Sequence, residues 1–120
     1  MIPDDVFVLD SVVHAYNTDE SNYRVPEYAS HITDMVYDTF MGPAPDELTL
    51  SEDEYNRDWG VEEATNMLLL ESQTDFAIFH PTPINAYEDG MTSVEKAKAA
   101  VERWPNRFRT MATVDPLEGE

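Results

Sequence analysis

Three short apolar runs, each followed or preceded by a segment of helical period, organise this chain. Val6 to Leu9 ("VFVL") is unbroken and rich in β-branched and aromatic residues, so it reads as a strand buried on both faces. "DFAIFH", Asp75 to His80, reads as a second buried strand, cut off by Pro81 and Pro83. "RFRTMATVD", Arg107 to Asp115, is the third. Between the first two lies "VPEYASHITDMVYDTF", with Pro26 at a first helical position and Glu27 in the first turn. Tyr28, Ile32, Met35, Val36 and Phe40 form its apolar stripe, and Gly42 and Pro43 stop it. A second helix spans Val61 to Glu71, with Val61, Ala64, Met67 and Leu68 on one side. "TSVEKAKAAVERWP" sets Thr92 as N-cap and Glu95 three residues on, a capping box, with Val94, Ala97, Val101 and Trp104 as the buried stripe.

Strand, helices, strand, helix, strand predicts an α/β domain: a parallel βαβαβ sheet with flanking helices, in one unit over residues 1–120. Right-handed crossovers bring the C-terminal strand ends to one edge, where such folds carry their chemistry. That edge is expected to present Asp10 to His14, His80 and Asp115. Residues 11–25 read as loop. Residues 41–58 form a longer acidic, Pro-containing loop with a short turn of helix at Ser51 to Tyr55, of the kind often used as a lid. A sheet of this size keeps open edges and an uncovered face, which invites association.

Charge narrows the partners. The formal net charge is −18, and 18 of the 25 acidic residues lie at or before Asp75, against Arg24 and Arg57 as the basic ones. Lys96, Lys98, Arg103, Arg107 and Arg109 all fall in the last third. Phosphate backbones would repel such a chain, so nucleic-acid binding is not expected. Solubility, a high-salt source and a basic partner surface each account for the acid excess, and solubility needs the fewest assumptions. No apolar run approaches the ~20 residues of a membrane span, and "MIPDD" lacks the basic start of a signal peptide, so cytoplasm is the default location. With no cysteine, disulfides and thiolate metal sites are excluded.

The candidate residues each carry a plainer alternative. His14, four residues after Asp10, is a metal-ligand candidate or a loop histidine bonded to backbone. Asp10 either accepts from His14 or caps the strand end. His80, held extended before Pro81, is a substrate-lining or proton-donating group or a satisfied sheet-edge histidine. Asn85 and Tyr87 could hydrogen-bond a ligand, although turn chemistry explains Asn85 equally well. Asp115 before Pro116 starts a turn or lines a site, and His31, inside the first helix, reads as structural. "SEDEYNRD" lacks the register of a calcium loop and reads as a solvated face.

Together "VFVLDSVVHAYN", "FAIFHPTPINAYEDGMTSVEKAKAAVERWPNRF" and "ATVDPLEG" resemble the N-terminal part of the amidohydrolase-related family, the metal-dependent barrels that include aminocarboxymuconate-semialdehyde decarboxylase. The resemblance implies the first three strands of a TIM-like (β/α)₈ barrel, which in full takes ~250 residues. It also implies a hydrolase or a carbon–carbon lyase (a decarboxylase) acting on a small carboxylated compound, with one divalent metal such as zinc or manganese. In the family's Asp-x-His-x-His opening, Asp10 matches the aspartate and His14 the last histidine, while Val12 stands where the middle ligand belongs. A valine offers no lone pair, and His14 alone cannot hold a catalytic metal. The resemblance therefore implies a portion that is inactive alone and needs the missing barrel. The alternatives are a non-catalytic acidic α/β module that forms homo-oligomers, or one half of a split enzyme.

Overall fold

The computed structural model describes residue 3 and residues 5–116. The last three positions of the "ATVDPLEG" segment, Leu117 to Gly119, lie outside the described residues. The order of elements is β1 (Leu9–Val13), α1 (Pro26–Met41), α2 (Glu52–Tyr55), α3 (Val61–Asn66), β2 (Phe76–Phe79), α4 (Val94–Arg103) and β3 (Phe108–Thr110). The three strands form one parallel sheet in the order β1-β2-β3, so each strand neighbours the next in sequence. The fold is the α/β arrangement of a parallel sheet with flanking helices that the alternation of patterns predicts. Among the described residues no helix is long and apolar enough to cross a membrane.

Helices α3 and α4 cover one face of the sheet. Ala77 and Phe79 of β2, Phe108 of β3 and Val13 of β1 are buried there against Ala64, Ala97 and Ala100. Alanines at the contacts let the helix backbones approach the sheet closely, and the rings of Phe79 and Phe108 fill the space between them, 6.2 Å apart and tilted edge to face. The opposite face is covered far less: Phe76 and Ile78 are half-buried and Leu9 is 51% exposed. A second core lies between α1 and the loop after β2, built from Ala29, Ala86, Tyr87 and Met91.

Several boundaries differ from the sequence reading, each for a physical reason. The first strand is Leu9–Val13 rather than Val6 to Leu9, because β2 sets the ladder: Leu9 pairs with Phe76, and the His80 N–H reaches the Val13 carbonyl. It is not buried on both faces, since it is a sheet edge with Leu9 and Val12 about half exposed. The third strand stops at Thr110, opposite Phe79. Soon after that point Pro81 offers no N–H, so residues 111–115 have no ladder to join and Asp115 lies beyond the strand end.

In α1 the buried positions are Ala29 and Thr33, with Ile32 and Val36 of the predicted stripe packed beside them and Tyr28, Met35 and Phe40 exposed, so the inward face is rotated part-way from the predicted stripe. A hydroxyl chain turns it. The Tyr23 hydroxyl donates to Thr33 Oγ1 at 2.9 Å, and Tyr87 Oη lies 2.9 Å from the same atom and donates to the Ala29 carbonyl at 3.1 Å. Because the Tyr87 proton goes to Ala29, the Thr33 hydroxyl donates to Tyr87, and small residues must stand where the rings dock.

Helix α4 is capped by Ser93, whose Oγ accepts from the Lys96 N–H at 3.2 Å, and not by Thr92. Thr92 is taken up by an antiparallel bridge to Thr82 around the Gly90 turn, so the helix starts one residue later than predicted. Gly90 has φ +74°, and a Cβ there would lie 2.6 Å from the Thr82 carbonyl oxygen, so both the conformation and the space require glycine. The capping box of this chain sits instead at α2, between Ser51 and Glu54. Helix α3 passes into a π-helical turn over Met67–Glu71, closed by Ser72 N–H to the Met67 carbonyl. Such turns displace side chains from the regular helical surface and often occur at functional sites.

Candidate functional site

At the C-terminal end of β1 the chain leaves the sheet and runs antiparallel to the segment before α3. Trp59 N–H donates to the Tyr16 carbonyl at 2.9 Å and Thr18 N–H to the Arg57 carbonyl at 3.2 Å. Lys96 of α4 ties this junction. Its ammonium donates to the carbonyls of Ala15 at 3.1 Å and Trp59 at 2.8 Å, and pairs with the Asp58 carboxylate.

His14 sits at this corner and is bound to β2. Its Nδ1 lies 2.9 Å from the His80 carbonyl, while Nε2 of His80 lies 2.9 Å from the Ser11 carbonyl. Carbonyl oxygens only accept, so His14 carries its proton on Nδ1 and His80 on Nε2. The neutral His14 ring therefore keeps a lone pair on Nε2, the atom that a metal or a proton would take. The two rings stand edge to face at 6.0 Å, and His14 stacks on Tyr16 at 5.2 Å.

Asp10, Val12 and His14 share one open cleft of about 370 Å³ with Ala64, Met67, Leu68 and Ser72, so the three positions of the Asp-x-Val-x-His register do face a common space. Asp10 directs Oδ1 to the Val12 N–H at 3.1 Å, a bond within its own strand end, and it is the His80 carbonyl that holds Nδ1 of His14. Val12 supplies no donor atom, and among the described residues no group of three His, Asp or Glu side chains could hold a metal ion. The residues present do not make a metal site by themselves.

Asn85 and Asp115 lie in a separate cavity of about 310 Å³ with Pro83, Thr113, Val114 and Pro116. The Asn85 carbonyl there accepts from Arg24 Nε at 3.0 Å. His80 lines neither that cavity nor the cleft of Asp10 and His14. Tyr87 is buried in the hydroxyl chain to α1, where burial pushes its phenol above the ordinary value. His31 is exposed on α1. A larger, polar depression of about 720 Å³ is bounded by Asp19, Glu20, Asp34, Glu52, Asp53 and Asn56 among others, so the acidic "SEDEYNRD" segment forms its rim.

Sequence reasoning missed an aromatic pocket that shares His14, Ala64 and Met67 with the cleft of Asp10. Tyr16, Phe40, Tyr55 and Trp59, with Met67 and Ala64, line an open pocket of about 290 Å³. Five separate segments contribute, so no local motif marks it. The capping box of α2 fixes Tyr55, which stands edge to face with Tyr37 at 5.6 Å. Trp59 Nε1 donates to the Tyr55 carbonyl at 2.8 Å. Arg57 lies 3.7 Å over the Trp59 ring and is held there by a bidentate pair with Glu63. Burial pushes the phenols of Tyr16 and Tyr55 above the ordinary value, with the neighbouring Tyr16 adding to the effect on Tyr55. Both rings stay neutral at physiological pH. The long 41–58 segment is thus partly a structural wall, with Tyr37 Oη donating to the Leu50 carbonyl at 2.8 Å.

Comparison with protein-family models, with characterised proteins and with solved structures gave no match to this chain.

Proposed function

We propose that this chain is the opening βαβαβ portion of a metal-dependent barrel of the amidohydrolase-related kind, a hydrolase or decarboxylase of a small carboxylated compound, and that it is inactive alone. The observation that carries the reading is the sheet. Three parallel strands in sequential order have helices on one face, while Leu9, Phe76 and Ile78 on the other are only partly covered. One arc of a barrel wall has this form, with the interior side waiting for the strands that complete it. His14 then lies at the C-terminal end of β1, in the cleft it shares with Ala64 of α3. Arg57 and Lys96, the cations of this corner, are already paired with Glu63 and Asp58.

A second reading, an acidic module that self-associates, draws on the same half-covered face and on the two open sheet edges. One experiment separates them. The reading frame is followed past the codon for Glu120, and the resulting protein is analysed for zinc and manganese. Continued strand–helix repeats with one metal per chain support the barrel. A stop codon, with the 120-residue chain sedimenting as a metal-free oligomer, sinks the barrel reading and favours the module.

A further inference from the structure

The pocket of Tyr16, Phe40, Tyr55 and Trp59 has a chemistry of its own, independent of the barrel reading. We infer that it is an aromatic cage for the quaternary or alkylated ammonium group of a small molecule. Four aromatic rings and Met67 line an open pocket of about 290 Å³, close to the ~300 Å³ at the lower end of small-ligand sites. That leaves room for a trimethylammonium head together with a short alkyl arm.

Trp59 and Tyr16 are half-buried against the two cores, whereas Phe40 and Met67 stand open to solvent. Phe40 is 52% exposed and Met67 39% exposed, while the backbone bonds from Trp59 to Tyr16 and from the Trp59 indole to Tyr55 fix the other walls. Ring faces carry negative electrostatic potential, and the Trp59 ring already carries one cation in the Arg57 guanidinium. That guanidinium is neutralised by Glu63, so it does not repel a second cation strongly. His14, which also lines the pocket, presents a lone pair when neutral. The surrounding chain, with its net charge of −18, favours entry of a cation.

Tryptophan fluorescence reads the pocket, because Trp59 is one of only two tryptophans and Trp104 lies after α4. The chain is titrated with choline chloride against sodium chloride of equal ionic strength, and in parallel with the neutral isostere 3,3-dimethylbutan-1-ol and with sodium benzoate. The expected result is a saturable change with choline, at least roughly fivefold weaker with the isostere and absent with benzoate. Phe40→Ala, at an exposed position with its fold checked by circular dichroism, is expected to weaken choline binding by roughly three- to tenfold. No saturation below ~50 mM choline, a weakness well past the millimolar range, overturns the proposal, as does equal binding of the isostere or an unaffected Phe40→Ala chain. A trimethyllysine peptide bound more tightly than choline overturns the small-molecule assignment.

Discussion

The histidines that follow β1 and β2 tie the two strand ends together: Nδ1 of His14 meets the His80 carbonyl at 2.9 Å, and Nε2 of His80 meets the Ser11 carbonyl at 2.9 Å. The parallel ladder itself is short and irregular between Asp10 and Val13, so these two side-chain bonds join β1 to β2 where backbone pairing lapses. His14→Ala is therefore expected to lower unfolding free energy by about 1 kcal/mol, and His80→Ala by a similar amount. Urea unfolding measures both. Nitrogen-15 NMR of the neutral rings should show opposite tautomers, Nδ1–H for His14 and Nε2–H for His80. Finding the same tautomer in both would remove one of the two bonds.

Lys96 carries a second joint. Its ammonium satisfies the Ala15 and Trp59 carbonyls and the Asp58 carboxylate, with only 15% of the side chain exposed. Lys96→Met keeps the length and removes all three bonds, leaving two carbonyls without their donor. The expected loss is about 2–4 kcal/mol, since each buried acceptor left unpaired costs about 1–3 kcal/mol. Because the joint positions Trp59, the same variant should also alter its fluorescence. A loss under ~0.5 kcal/mol would mean that water replaces the lysine without penalty.

The start of α4 offers a paired test. Ser93 caps the helix, so Ser93→Ala should cost about 1 kcal/mol. Thr92 is 1% exposed and its hydroxyl has no partner, so the near-isosteric Thr92→Val should be neutral or stabilising. The sequence-based assignment of Thr92 as the cap predicts the reverse order. Thermal or urea midpoints of the two variants decide between them.

That reversal marks what the sequence could and could not tell. Apolar runs and helical periods located the second and third strands and the longer helices, because Ala77, Phe79 and Phe108 had to be buried and their pattern says so, whereas the first strand shares only Leu9 with its predicted run. The inward face of α1 was legible only in part: Ile32 and Val36 do pack on the core, while Tyr28, Met35 and Phe40 outweigh Ala29 and Thr33 in hydrophobicity, yet the Tyr23–Thr33–Tyr87 hydroxyl chain fixes the rotation. Strand ends were misplaced where the partner's length decides them, as at Thr110. His14 could be singled out by its position four residues after Asp10. The aromatic pocket could not, since its rings come from segments that meet only in the fold. A signal was available in Trp59 and Tyr55, two large rings inside or beside a highly acidic stretch, where solvated loops rarely carry them.

Alkaline pH should loosen the aromatic wall. The phenols of Tyr16, Tyr55 and Tyr87 are all held above their ordinary value of 10.0, chiefly by burial. Between that value and the raised one the folded chain binds more protons than the unfolded chain, so stability falls as pH rises through the interval. The contribution is complete below about pH 10 and is lost above it. Two readouts are expected to coincide. Absorbance at the phenolate band should show part of the six tyrosines titrating late, together with the loss of tertiary structure. Tyr55→Phe removes one of these ionisations, and its Oη has no described role in the wall apart from the ring, so it should move the alkaline unfolding midpoint upward with little change at neutral pH. A midpoint that does not move would assign the alkaline transition to Tyr16 and Tyr87, and early titration of all six phenols would show that the wall is open to solvent.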